Sequence, residues 1–363
     1  MEFVRRLLAT FIVLAVPVLG PPPPVHAQSA PAGHVDWQGW SFDYGVTDLA
    51  EGLALTDVFY QGVSILAKAS FPVIRVFYEN DACGPYADRL AVALTPVSWA
   101  NDALLVQRTF IQNGQTWLEL GIQDTIGNYV IYQVWYLSED CVMDAHLFSK
   151  GLQCNIFHTH YPYWRLDLDL DDNENDQIRR YTDTGWQTYT KEFNTSAADA
   201  LDHRWQVRDT VTGLSVDILF DDNSWDVAGV VVPEHQYTNN LVFGRRYHES
   251  EDVGWRHSVR SELPDQNLEN MDGQDVVFWY KAYMPHSPEE GPDLWHSTGI
   301  RLVITGTGPS PGDNDYCTVN SPCGVGEGDC DGNQECQAGL VCRNDVGATY
   351  GFRVIVDVCE TPE

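Results

Sequence analysis

Basic residues are scarce in this chain: 21 Lys and Arg stand against 52 Asp and Glu in 363 residues, for a formal charge of −31. That balance excludes an electrostatic grip on nucleic acid or on an anionic membrane surface, both of which need clustered cations. It leaves solubility, cation binding and attraction of cationic small molecules open. Helical periodicity is also missing, since no long stretch carries the apolar spacing of an amphipathic helix. The third shortage is apolar length. The one long apolar run, residues 7–19 (LLATFIVLAVPVL), follows Arg5 and Arg6 and precedes Val25-His26-Ala27. It is too short to span a bilayer comfortably. It reads as the core of a secretory signal over residues 1–27. The expectation is a soluble secreted protein, extracellular, periplasmic or at a cell surface, with no membrane segment after signal cleavage.

Cysteine is unevenly spread. Cys83, Cys141 and Cys154 lie in the body, and the other six crowd into residues 317–359. In an exported chain such a cluster predicts a small disulfide-stapled module, whose pairing the spacing leaves open. The odd total leaves one body cysteine over. Residues 306–316 (GTGPSPGDNDY) have the composition of a linker.

What is abundant is strand-forming sequence. Runs at 52–60, 63–78, 116–123, 129–137, 142–148, 156–170 and 276–283 are rich in β-branched and aromatic residues, and Asn113-Gly114 is a strong hairpin signal. With 12 Trp and 17 Tyr, the chain is expected to be all-β. The reading is a large twisted β-sandwich over 28–305, the linker, and the Cys-rich disulfide module over 317–363.

The chemistry concentrates in His158-Thr159-His160, which runs into Arg165-Leu166-Asp167-Leu168-Asp169. Alternate side chains of a strand share a face. His158 and His160 therefore point one way, and Arg165, Asp167 and Asp169 the other. An imidazole pair suits copper or zinc, and carboxylate and carbonyl oxygens suit calcium. One strand thus offers two different metal sites. Taken alone, paired strand histidines are more often structural or solvent-facing than metal-binding, and an acidic edge is more often plain solvated surface.

Further motifs raise the stakes. Thr125-Ile126-Gly127-Asn128-Tyr129 stands upstream, and His286 stands downstream in Tyr283-Met284-Pro285-His286. At these residues the chain resembles the copper amine oxidases, in their C-terminal catalytic β-sandwich. That family carries a Thr-x-x-Asn-Tyr motif whose tyrosine becomes the topaquinone cofactor, a His-x-His copper pair before an Arg-Leu-Asp-Leu-Asp-like run, and a distant third histidine. The resemblance implies Tyr129 as the topaquinone precursor beside Asn128, and His158, His160 and His286 as copper(II) ligands. Residues 37–46 and 52–58 look like the start of the catalytic domain, and 72–78 is similar to its Val-Pro-Tyr segment. By the same resemblance Tyr78 hydrogen-bonds the quinone and an aspartate shortly after it is the catalytic base. Asp88 is favoured for that role, with Asp81 as its rival. The family's calcium-type ion maps onto Asp167, the Leu168 carbonyl, Asp169, Asp275 and the Val276 carbonyl, with Asp275 eleven residues before His286.

The implied activity is oxidative deamination of a primary amine with O2, giving aldehyde, ammonia and hydrogen peroxide. The implied assembly leaves a homodimer open. His296, in Leu294-Trp295-His296, is the rival third ligand; its spacing from Asp275 fits the family less well, so it is read as a loop or channel residue, and His146, His203, His235, His248 and His257 as surface or core histidines. Three features depart from the family: Val130 follows Tyr129 where an acidic residue is usual, the N-terminal domains are absent, and the Cys-rich tail is foreign. They motivate a second hypothesis, a non-catalytic copper- and calcium-binding sandwich with an adhesion or docking tail. A copper redox enzyme without a quinone is a third.

Overall fold

A computed structural model describes residues 30–46, 51–90, 94–97, 100, 102–220, 239–248, 266–306, 316–319, 322–350, 352 and 355–362. The expected signal segment and most of the linker lie outside them. The described residues form two ten-stranded antiparallel sheets and, near the C-terminus, a two-stranded ribbon. No α-helix occurs among them; the only helical pieces are short 3-10 turns. The all-β sandwich with a small disulfide-rich module is thus the architecture.

In the first sheet, strands Ala32–Trp37, Trp40–Val46, Leu53–Tyr60, Val63–Tyr78, His158–Leu168, Val276–Lys281, Leu241–Arg246 and Phe193–Ser196 follow one another in space. Met284–His286 pairs with the start of the His158 strand, and Tyr86–Asp88 pairs with the Val63 strand. The second sheet runs Gly185–Tyr189, Asp176–Thr182, Trp205–Asp209, Ser215–Phe220, Trp295–Thr305, Val142–Lys150, Tyr129–Ser138, Gln115–Ile126 and Leu94–Thr95, with Leu105–Gln112 beside Gln115–Ile126. The Asn113-Gly114 turn closes that last pair, Gln112 facing Gln115. Both turn residues take positive φ (54° and 83°), as two-residue hairpin turns of this twist require.

Alternation along the strands builds the core. On the His158 strand the even-numbered Trp164, Leu166 and Leu168 enter the core between the sheets, while Tyr161 and Tyr163 pack on the opposite face. Aromatic contacts run through the centre: Phe71 meets Trp164 edge-on at 5.1 Å, and Trp164 stacks on Tyr280 at 5.7 Å. Polar bonds set how the sheets sit on each other. Gln133 of the second sheet accepts from Leu53 N–H (2.8 Å) and donates to the Leu53 carbonyl (3.1 Å). The Trp135 indole donates to the same carbonyl at 2.8 Å. Deep in a sandwich each unmade bond would cost about 1–3 kcal/mol, so these pairs fix one register.

One expected strand is broken. The run 276–283 ends at Lys281, and pairing resumes only at Met284–His286. The cause is proline. Pro162, opposite the gap, accepts from Ala282 N–H at 2.9 Å but has no N–H to return, and Pro285 lacks one too. The break lets the chain re-enter the sheet with His286 opposite His158.

Three disulfides staple the tail: Cys317–Cys323, Cys330–Cys342 and Cys336–Cys359. Their half-cystines form most of the module's interior, as expected where apolar material is too thin for an ordinary core. The fourth bridge, Cys83–Cys154, lies in the body, and Cys141 stands outside all four.

Candidate functional site

Three imidazoles meet where the broken ladder ends. His158 lies between two neighbours, its Cα partnered with Tyr78 on one side and His286 on the other. Two residues on, His160 points to the same inner face. The nitrogen ligand atoms of His158, His160 and His286 all lie within 4.8 Å of one another. The three residues are 3% exposed or less.

The three rings differ in what holds them. His158 Nδ1 lies 2.8 Å from the Ile156 carbonyl, which fixes Nδ1 as the protonated nitrogen and turns the Nε2 lone pair inward. His160 Nε2 is buried and has no hydrogen-bond partner. Burial pushes the His160 imidazole well below the usual histidine range, reinforced by His158, His286 and His296. Burial, then His296 and His158, push His286 down to about 4. Burial also lowers His158. All three are therefore neutral near pH 7, the state in which imidazole binds a metal.

Tyr129 arrives from the other sheet. Its hydroxyl is 2.8 Å from His158 Nε2, and its ring is 4.9 Å from that of His160. The Thr125–Tyr129 motif is the tip of a hairpin, with Ile126 paired to Tyr129 and Gly127 at φ 58°. Residues 151–154 form a strap across this tip. A Cβ on Gly151 would stand 2.3 Å from the Asn128 carbonyl oxygen and 2.8 Å from Tyr129 Cα, so glycine is required there. Asn128 donates to the Leu152 carbonyl (3.3 Å), and Gln153 N–H donates to the Tyr129 hydroxyl (3.4 Å).

The Cys83–Cys154 bridge ties this strap to the loop before Tyr86–Asp88. Replacing both cysteines by serine is expected to cost about 2–4 kcal/mol of stability. It should also speed amide hydrogen exchange at Gln153 and Ile156. Unchanged exchange at those amides would show that the strap stands without its bridge.

Tyr78 stacks on His158, with centroids 4.7 Å apart and planes 23° apart, and its hydroxyl hydrogen-bonds that of Tyr129. Burial pushes both phenols upward. Asp88, carried by Tyr86–Asp88 and paired with Ile74, is half-buried, and burial raises its carboxyl to about 6. Its charge reaches both Tyr78 and Tyr129. A cavity of about 360 Å³ opens there, lined by Asp88, Arg89, Asp124, Thr125 and Gly127 among others. Asp81 instead sits exposed in a turn.

The opposite face of the His158 strand carries the oxygen donors. Asp167, Asp169 and Asp275 line a second cavity of about 360 Å³ with Lys68, Asn173 and Tyr247. Leu168 and Val276 are direct ladder partners, which brings their backbones level. Arg165 donates to Asp167 at 3.2 Å. The Asp275 Oδ1 atom is buried without a hydrogen-bond partner. Burial first, then Asp167 and Asp169, raise Asp275 to about 7. The three carboxylates share the cavity but do not converge as tightly as the imidazoles.

Of two further neighbours, the sequence reading misplaced His296 and missed Glu290. His296 is 4% exposed and packs on His286 at 4.4 Å between centroids, rather than lying in a loop or channel. Glu290 stands 3.1 Å from it. No periodicity along one strand could reveal this, because His296 belongs to the facing sheet.

Comparison with known proteins places the architecture. No family model matches the chain, and no curated protein matches it by sequence. Solved structures do. The copper-containing benzylamine oxidase of Hansenula polymorpha superposes with a TM-score of 0.53 at 13% identity, over 79% of this chain and 63% of that one. Pichia pastoris lysyl oxidase gives 0.54 at 14% identity, over 79% and 56%. Aspergillus nidulans amine oxidase gives 0.53 at 15%, over 83% and 57%. The chain shares their fold and spans less than two thirds of their length.

Proposed function

We propose that this chain is an exported copper- and topaquinone-dependent amine oxidase-like enzyme, converting a primary amine, O2 and water to aldehyde, ammonia and hydrogen peroxide. The observation that carries the reading is the meeting of His158, His160 and His286 with Tyr129, its hydroxyl 2.8 Å from His158 Nε2. Residues from both sheets and from three separate parts of the sequence converge there. The donor set fits copper: three neutral imidazoles, one of them (His160) with a buried nitrogen that no protein group satisfies. When bound, copper with O2 would oxidise Tyr129 in place to the quinone, the group that takes electrons from the amine.

The chain's own residues have distinct tasks. Ile156 fixes the His158 tautomer, and the strap with Tyr78 holds the Tyr129 hydroxyl. Asp88, ionised above about pH 6, is basic enough to take the proton from the carbon bearing the amine. The cavity beside it is the entry for substrate. Asp81, exposed, is left without a part. The extent assigned to this catalytic unit is 28–305, with residues 1–27 as export signal and 317–363 as an appended module.

The test is direct. Purified protein loaded with Cu(II) under air should develop a visible quinone band that phenylhydrazine shifts, and should release peroxide with some member of a primary-amine panel. A colourless, copper-loaded protein with unmodified Tyr129 sinks the proposal. Val130 favours one rival reading, the non-catalytic metal-binding sandwich, since no acidic side chain follows Tyr129. That reading requires tight copper binding with no amine-dependent peroxide.

The second cation belongs to the same proposal, with calcium held by Asp167, Asp169, Asp275 and the Leu168 and Val276 carbonyls. Asp275 at about 7 and the fully buried neighbour Asp176 at about 9, raised by burial and by Asp209, lie far above the ordinary 3.8. Between those limits the metal-free fold keeps protons that the unfolded chain has lost. Its stability should therefore fall as pH rises through 7 towards 9. Calcium, which favours the ionised carboxylates, should restore it. Thermal melts at about pH 5 and about pH 8.5, with and without calcium, read this. Equal calcium effects at both values would remove the aspartate cavity as the cation site.

A further inference from the structure

The imidazole trio does not exhaust the metal donors at this end of the sandwich. His286, Glu290 and His296 also have ligand atoms all within 4.8 Å of one another. The Glu290 Oε2 atom lies 3.1 Å from His296 Nε2 and 4.0 Å from His286 Nε2. Donors on a tetrahedral zinc ion at about 2.1 Å stand roughly 3.4 Å apart, and these two spacings bracket that figure.

The carboxylate is held in place. Glu290 Oε2 accepts the Ser287 N–H at 2.9 Å, closing the capping box of the turn Pro288–Glu290. His296 is buried at the start of Trp295–Thr305, in the sheet facing His286. Glu290 retains about a third of its exposure (32%), which gives an ion a route in and leaves room for a water. Contrast the cluster of Glu192, His248 and Glu269. There both Glu192 oxygens accept backbone N–H groups, and His248 closes on Glu269 at 2.5 Å.

We propose that Glu290, His296 and the outer nitrogen of His286 form a second transition-metal site of zinc type, adjoining the imidazole trio through the shared His286 ring, which bridges the two ions as an imidazolate once its single N–H proton is displaced to solvent. Two imidazoles and one carboxylate with an open fourth position are a known zinc donor set. His286 Nε2 lies on the Glu290 side, 3.4 Å from the Gly291 carbonyl, so in the metal-free ring Nε2 carries the proton that the second ion displaces. Only the shared ring rests on the copper reading; the second site stands on its own donors.

The experiment counts metal. Full-length protein stripped of metal is equilibrated with Zn²⁺ in excess Ca²⁺, which keeps the aspartate cavity out of the count, then washed and analysed by mass spectrometry of the metal. Wild type should hold two zinc ions per chain. Glu290→Gln and His296→Ala should each hold one, as should the double variant His158→Ala, His160→Ala. One zinc in wild type, lost only in the double variant, overturns the second site and leaves the amine oxidase reading intact. One zinc lost with Glu290→Gln but kept by the double variant leaves the second site standing and removes the trio. Two zinc ions unaffected by Glu290→Gln and His296→Ala also overturn it. Should His296→Ala fail to fold, Glu290→Gln changes only a part-exposed carboxylate and carries the count.

Discussion

Tyr129→Phe should abolish amine-dependent peroxide release while leaving the copper content unchanged. The substitution removes one oxygen and keeps the ring, whose packing 4.9 Å from His160 and 6.3 Å from His286 is what fills the space between the sheets. The lost hydroxyl deprives Gln153 N–H and His158 Nε2 of a partner, a cost of about 1–3 kcal/mol that a fold of this size tolerates. All three imidazole ligands remain. Mass spectrometry across residues 121–136, after aerobic copper loading, separates chemistry from folding. Wild type should gain two oxygens and lose two hydrogens at Tyr129, and the variant should gain nothing. Peroxide release equal to wild type in the variant would end the quinone reading and leave copper alone to account for the activity.

Much of this site is written along single strands, and that part was legible. Alternation separates His158 and His160 from Asp167, and the structure keeps them on opposite faces. The Asn113-Gly114 turn is likewise local. His286, more than a hundred residues away, could be placed only through a motif resemblance. Nothing in its own surroundings says that two prolines break the ladder and return the chain opposite His158. What stayed hidden depends on how the sheets stack. His296 sits one sheet away from His286, and the Cys83–Cys154 bridge joins loops 71 residues apart. Neither has a period or a spacing to betray it. That Asp88 is half-buried and Asp81 exposed is likewise something no local pattern near a Gly-Pro turn encodes.

Asp88→Asn should lower kcat/KM by about 10²–10⁴-fold without altering copper content or the mass gain at Tyr129. Asparagine keeps the shape of the side chain and the pairing of its strand with Ile74, but it cannot take a proton. In wild type the rate should climb with pH through about 6, the value to which burial raises this carboxyl. The variant should lose that limb, and Asp81→Asn should keep it. Stability provides the control. A carboxyl whose folded value stands above the ordinary 3.8 contributes stability that is present below that ordinary value and is lost as pH rises through about 6. A neutral asparagine escapes that loss. The variant should therefore melt no lower than wild type at neutral pH, while its activity collapses. A variant that instead loses stability along with rate would make Asp88 a packing residue and leave Asp124 as the other carboxylate lining this cavity. The pH profile of the intact enzyme would then have to be explained by a different group.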